Sequence, residues 1–163
     1  MKNPAILKAI KRKDSLLFLV LFISVISLIG WLFGAIGLAK ISSNYIPIAP
    51  STALIFIILS ILFFNNNRFI KSHVFKSIGI VILVLIVLFC LTVFLDYLFN
   101  FTWDLENIFI ENPEKLGFVP IGRMSPLTAL MFILACMGIW GIRENSSVQT
   151  KYISGVSSLL TLL

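Results

Sequence analysis

Few side chains in this sequence are equipped for chemistry, and their surroundings decide what each can do. Asp96 is the only acid inside an apolar run, near the end of "VFLDYLF". Arg123 stands in "GRMSPLTAL", just ahead of the next apolar run. An acid deep in a bilayer marks function by default, whereas one near the surface is simply hydrated. Paired with each other, Asp96 and Arg123 would exchange desolvation for attraction with little net gain, which suits specificity or switching better than stability. Arg123 alone has two readings. It is an anion site beside a helix N-terminus, or an interfacial arginine meeting lipid phosphate. These two residues are the candidate ligand-binding pair.

The remaining reactive types point away from catalysis. His73 is the only histidine and lies in "NNNRFIKSHV", a short polar loop without the long dimerising helix that a kinase phosphoacceptor requires. Cys90 and Cys136 both sit in apolar runs, with no neighbour suited to metal or redox work, and read as small buried hydrophobes. With no cluster of His, Glu or Asp, the sequence offers no catalytic residue, no metal site and no cofactor, and the chain is not expected to be an enzyme. Trp31, Tyr97 and Trp103 fall near one boundary of the apolar runs and read as an aromatic belt, with a ligand cage as the alternative.

Membrane helices must position these residues. The chain is 59% hydrophobic and 12% charged, with a mean hydropathy of +1.05, against roughly 45–50% apolar and about 25% charged in soluble domains. Lipid is therefore the expected solvent and the expected partner. The formal charge of +6 does not form one patch, so nucleic acid is not an expected partner. The first span is 16–39, the second 47–64, the third 75–99 and the fourth 124–142. A fifth begins near Tyr152 and stops at Leu163, too short to cross, so a truncated span is expected over 152–163. A signal peptide is the rival for the first span, but its apolar core is normally about 7–15 residues.

Loop charges set the orientation. Lys2, Lys8, Lys11, Arg12, Lys13, Arg68, Lys71, Lys76, Arg143 and Lys151 fall on one side, and Lys40, Lys115 and Arg123 on the other. Ten basic residues against three, over short loops, place the N-terminus in the cytoplasm. The expected organisation is a basic N-terminus over 1–15, a first helix pair over 16–64, and a second over 75–142 with an outer loop over 100–123.

The two pairs share wording. "PIAPSTALIFII" and "RMSPLTALMFIL" place Pro50, Thr52, Ala53 and Leu54 over Pro126, Thr128, Ala129 and Leu130 at a constant offset of 76, and "GWLFG" matches "DYLFN" at the ends of the preceding spans. Pro50 and Pro126 suit the first position of a helix, where a missing N–H costs nothing. Ser125 can cap the second copy, while Ala49 cannot cap the first. Ala53 and Ala129 allow close helix approach, as would the Gly30–Gly34 pair if helical. The fold class is thus an all-α membrane protein, a parallel repeat of transmembrane helix pairs with four full spans and the start of a fifth. Both units enter from the same side, which is what makes the repeat parallel.

The phrases "GRMSPLTALMFIL", "IAPSTALIFIIL" and "LDYLFNFTWDLENIFI" resemble the N-terminal multispanning membrane region of bacterial and archaeal sensor proteins, over about 31–140. In those proteins PAS and histidine kinase or diguanylate cyclase domains follow. The resemblance implies a sensory or anchoring module of a signal-transduction protein, such as a two-component system, in the inner (plasma) membrane. It carries no ligand residues over, so a small-molecule ligand stays unspecified; a second copy of the chain is a further expected partner. The competing expectation is part of a small transporter or channel. That reading calls for polar residues at mid-bilayer, where the sequence offers mainly Ser24, Ser27, Ser60 and Thr92.

Overall fold

The computed structural model describes residues 4–40, 46–64, 73–99, 115–116 and 119–143. It divides into two units, one of residues 1–67 with 106–123 and one of 68–105 with 124–163. Four α-helices make up most of the described residues. The expected fifth span over 152–163, Trp103, and most of the expected outer loop over 100–123 lie outside them.

In the first unit, α1 runs from Pro4 to Leu32, about 44 Å at 1.5 Å per residue. Pro4 takes the first helical position, where its missing N–H is harmless. The basic segment is therefore not separate from the span: the helix is continuous across the boundary expected at 15. Its apolar stretch is Ser15–Leu32.

The far end of α1 corrects a second expectation. Apolar composition continues to Ala39, but the α-helix stops at Leu32. Gly34 takes φ +70°, a left-handed conformation that ends helices and favours glycine. The N–H of Gly34 donates to the Trp31 carbonyl at 3.3 Å, and Ile36–Ala39 then forms a single 3-10 turn. Gly34 thus lies outside the helix, and the Gly30–Gly34 pair forms no helical face. Gly30 has a different job. A Cβ there would lie 2.9 Å from the Ala35 carbonyl oxygen and 3.0 Å from Leu38 Cβ, so the chain folds back directly onto it.

The return helix, α2, spans Pro50–Phe64, about 22 Å long and three residues shorter than the stretch expected from Pro47. Proline disfavours helical geometry in the residue before it, which keeps Ala49 out of the helix. Helix α2 packs on α1. The buried positions of α1 are small, Ser24, Ser27 and Gly30, and α2 buries Ala53 and Ser60 among larger apolar residues. Small side chains at such contacts let backbones approach closely where lipid supplies no hydrophobic drive for association. Two short strands, β1 (Lys115–Leu116) and β2 (Val119–Pro120), pair antiparallel, with Lys115 opposite Pro120.

In the second unit, α3 spans His73–Phe99, about 40 Å, and α4 spans Pro126–Arg143; the two pack together. His73 is the first residue of α3 and not part of a loop. The buried positions of α3 are Gly79, Leu83, Ile86 and Cys90, and those of α4 include Ala129, Phe132, Cys136 and Ile139. Steps of three and four residues define one seam along each helix. Both cysteines are buried on that seam, and neither forms a disulfide.

Away from the seams the surface is apolar. Val81, Leu85, Leu88 and Leu91 on α3, and Phe18, Leu19 and Phe22 on α1, are all exposed. Ser15–Leu32 and Val74–Phe99 are long and apolar enough to cross a membrane, while α2 and α4 are shorter apolar helices. The three glycines near the end of α1 give a direct test. Gly30→Ala should destabilise the protein by about 1–3 kcal/mol through overpacking, read as a lowered Tm in detergent. Gly37→Ala, with open space around it, should leave Tm nearly unchanged. Equal effects at the two positions would contradict the fold-back onto Gly30.

Candidate functional site

Two helix starts carry the sequence's most distinctive phrase, and each is held in place differently. In the second copy the anchor is local. The Thr128 N–H donates to Ser125 Oγ at 3.1 Å, satisfying one of the amides that a helix N-terminus leaves without an intrahelical partner. The Ser125 and Thr128 hydroxyls also share a hydrogen bond at 2.8 Å. Ala129 N–H donates to the Ser125 carbonyl at 3.0 Å and starts the helical ladder. Ser125 is exposed and Thr128 half-buried, so this cap is reachable.

The first copy has Ala49 at the cap position and anchors through distant contacts. Trp31 Nε1 donates to the Ile48 carbonyl at 2.8 Å. The Ile48 N–H donates to the Ala39 carbonyl at 2.9 Å. The Ile48 carbonyl is therefore tied to the end of α1 and its N–H to the end of the 3-10 turn, and Pro50, Ser51, Thr52 and Ala53 follow as a buried first turn. The role of Trp31 goes beyond the aromatic belt expected from its position. The available sequence signal is the missing cap: a helix start without one needs an anchor from elsewhere. Tyr97, by contrast, is exposed, as a belt residue would be.

Asp96 lies on α3, three residues before its end, and is half-buried. Its Oδ1 is buried and accepts no hydrogen bond. Arg123 is half-buried and precedes the capped start of α4. Asp96 belongs to the second unit and Arg123 to the first, so each is placed within its own unit and the expected pairing lies outside that description. Of the mid-span hydroxyls, Ser24 donates to the Val20 carbonyl at 2.8 Å and Thr92 to the Phe89 carbonyl at 2.7 Å. Both are satisfied by the backbone of their own helix. Ser27 Oγ is buried with no hydrogen-bond partner. Among the described residues, no group of three or more His, Cys, Asp or Glu comes together.

No protein-family model matches the sequence, and no curated protein and no solved structure matches it either.

The two anchoring modes predict different mutational costs. Ser125→Ala removes a cap and should lower stability by about 1 kcal/mol. Trp31→Phe leaves the Ile48 carbonyl without its donor and should cost about 1–3 kcal/mol; thermal unfolding of the detergent-solubilised protein checks both. For Asp96, the buried oxygen without a hydrogen bond makes Asp96→Asn neutral or stabilising, because a charge in partial burial is costly. A marked fall in Tm for Asp96→Asn would reveal a partner for the carboxylate and support the expected ligand-binding role.

Proposed function

We propose that the chain is the membrane-embedded sensory or anchoring region of a signal-transduction protein, built from two copies of one helix pair. Four spans cross the inner membrane in this reading, with the N-terminus in the cytoplasm. Its carrying observation is that three matched small-residue positions are buried in both pairs. At the offset of 76, Ala53 and Ala129 are both buried, as are Ser60 and Cys136. At the offset of 66 that aligns "GWLFG" with "DYLFN", Ser24 and Cys90 are both buried. Each pair thus places a hydroxyl or thiol on each of its two helices at matching positions, and an alanine seven residues earlier on the return helix.

The signalling role rests on the resemblance carried by the two Pro-x-Thr-Ala-Leu phrases. Transport is the weaker reading, because Ser24 and Thr92 return their hydroxyls to their own helices instead of lining a polar path. Topology gives the test. An enzyme reporter that works only outside the cytoplasm should be active when fused at Asn107 and silent when fused at Asn66. The reverse pattern would overturn the orientation, and activity at both sites would overturn the four-span reading.

A further inference from the structure

Cys90 and Cys136 are the only cysteines in the chain, and folding places both on the seam between α3 and α4. Cys90 is fully buried and Cys136 is 2% exposed. Along α3 the buried Leu83 and Ile86 lead to Cys90 in steps of three and four residues, on the face that packs against α4. Cys136 borders α3 beside Leu83, Val84 and Val87, and Val87 lies one helical turn from Cys90. The two thiols are close enough to interact electrostatically. Neither cysteine has a sequence neighbour suited to redox chemistry; the fold supplies each with the other. At the matching positions of the first pair stand Ser24 and Ser60, so the thiols belong to the second pair alone. Their surroundings restrict what they can do. A charged sulfur in an apolar seam is costly, which suppresses thiolate chemistry with water-soluble reagents. A disulfide, like the two thiols it comes from, carries no charge.

We propose that Cys90 and Cys136 form a redox switch oxidised by lipid-soluble quinones. Two S–H bonds break and one S–S bond forms, while the quinone takes up both electrons and both protons and leaves as the quinol. Every reactant and product is uncharged, so the reaction leaves no charge in the dry seam. The oxidant reaches the thiols through the bilayer, in which it dissolves. The disulfide ties α3 to α4 and stops the two helices from sliding; the dithiol leaves them free to shift. The inference rests on the sensory reading above and names a class of stimulus for it, the oxidation state of quinones in the surrounding membrane.

Thiol counting in vesicles tests the switch. The full chain, reduced and reconstituted into phosphatidylcholine vesicles, is exposed to tetramethylbenzoquinone, whose fully substituted ring leaves no position for a thiol to add. After denaturation in detergent, the maleimide-reactive thiols should fall from two to none, and dithiothreitol should restore both. The intact mass should fall by two hydrogens, and a digest should yield the Cys90 peptide joined to the Cys136 peptide of the same chain. Oxidation should also raise Tm by several degrees, as a cross-link between packed helices does. Cys90→Ser, treated in the same way, should show no such rise. If the chain floats with the vesicles but both thiols stay reactive, or if the bond joins two chains, the switch is overturned and the membrane reading stands. A chain that does not float with vesicles overturns the membrane reading, and the switch with it.

Discussion

Helices surrounded by lipid gain little from burying apolar side chains against each other, because acyl chains offer the same environment. What holds such a pair together is close backbone approach and dense packing. The rest of this structure depends on that constraint. Among the described positions, the buried ones of α1 are serine and glycine; in α2 alanine and serine, and in the α3–α4 pair Gly79, the cysteines and Ala129, are the smallest buried residues, set among larger apolar ones. A serine there can return its hydroxyl to its own helix, as Ser24 does to the Val20 carbonyl, whereas Ser27 Oγ is buried with no hydrogen-bond partner. Many large apolar residues also face outward in both units, an arrangement that would be costly in water and is ordinary in a bilayer.

The same constraint explains why the turns are where specific contacts accumulate. Within the helices the backbone satisfies itself, so only the ends require partners. The first unit solves its turn by folding a 3-10 segment onto Gly30 and tying Ile48 at both its N–H and its carbonyl. The second unit starts its return helix with a side-chain cap from Ser125. Matching helix starts therefore rest on different chemistry. A functional distinction between the units would arise here, since the capped start is open and the clamped one is buried.

Much of this was legible in the residues themselves. Pro50 and Pro126 begin helices because proline fits a first turn and excludes the residue before it, and the Ser125 cap follows from the same local rules. The long run of β-branched and leucine residues in α3 leaves no breaker until Phe99, which is why its limits lie within two residues of the expected ones. The break at Leu32 was hidden because "FGAIGLA" is as apolar as the helix before it; hydropathy does not register a positive φ at Gly34. The expectation of close approach at the Gly30–Gly34 pair failed for the same reason, since it needs helical spacing that the turn removes. For Trp31, a belt residue and a hydrogen-bond donor to a distant carbonyl look identical in sequence. The relation of Asp96 to Arg123 depends on long-range placement, which local patterns do not encode.

The central claim is that the outward apolar faces meet acyl chains while the buried seams do not. Photolabelling of the reconstituted protein with a membrane-dissolved apolar diazirine, mapped residue by residue by mass spectrometry, tests it most directly on α3. The exposed residues Val81, Leu85 and Leu88 should carry the label, and the buried Leu83, Ile86 and Cys90 should not. Label absent from the whole of α3, or spread equally over both sets, would contradict it.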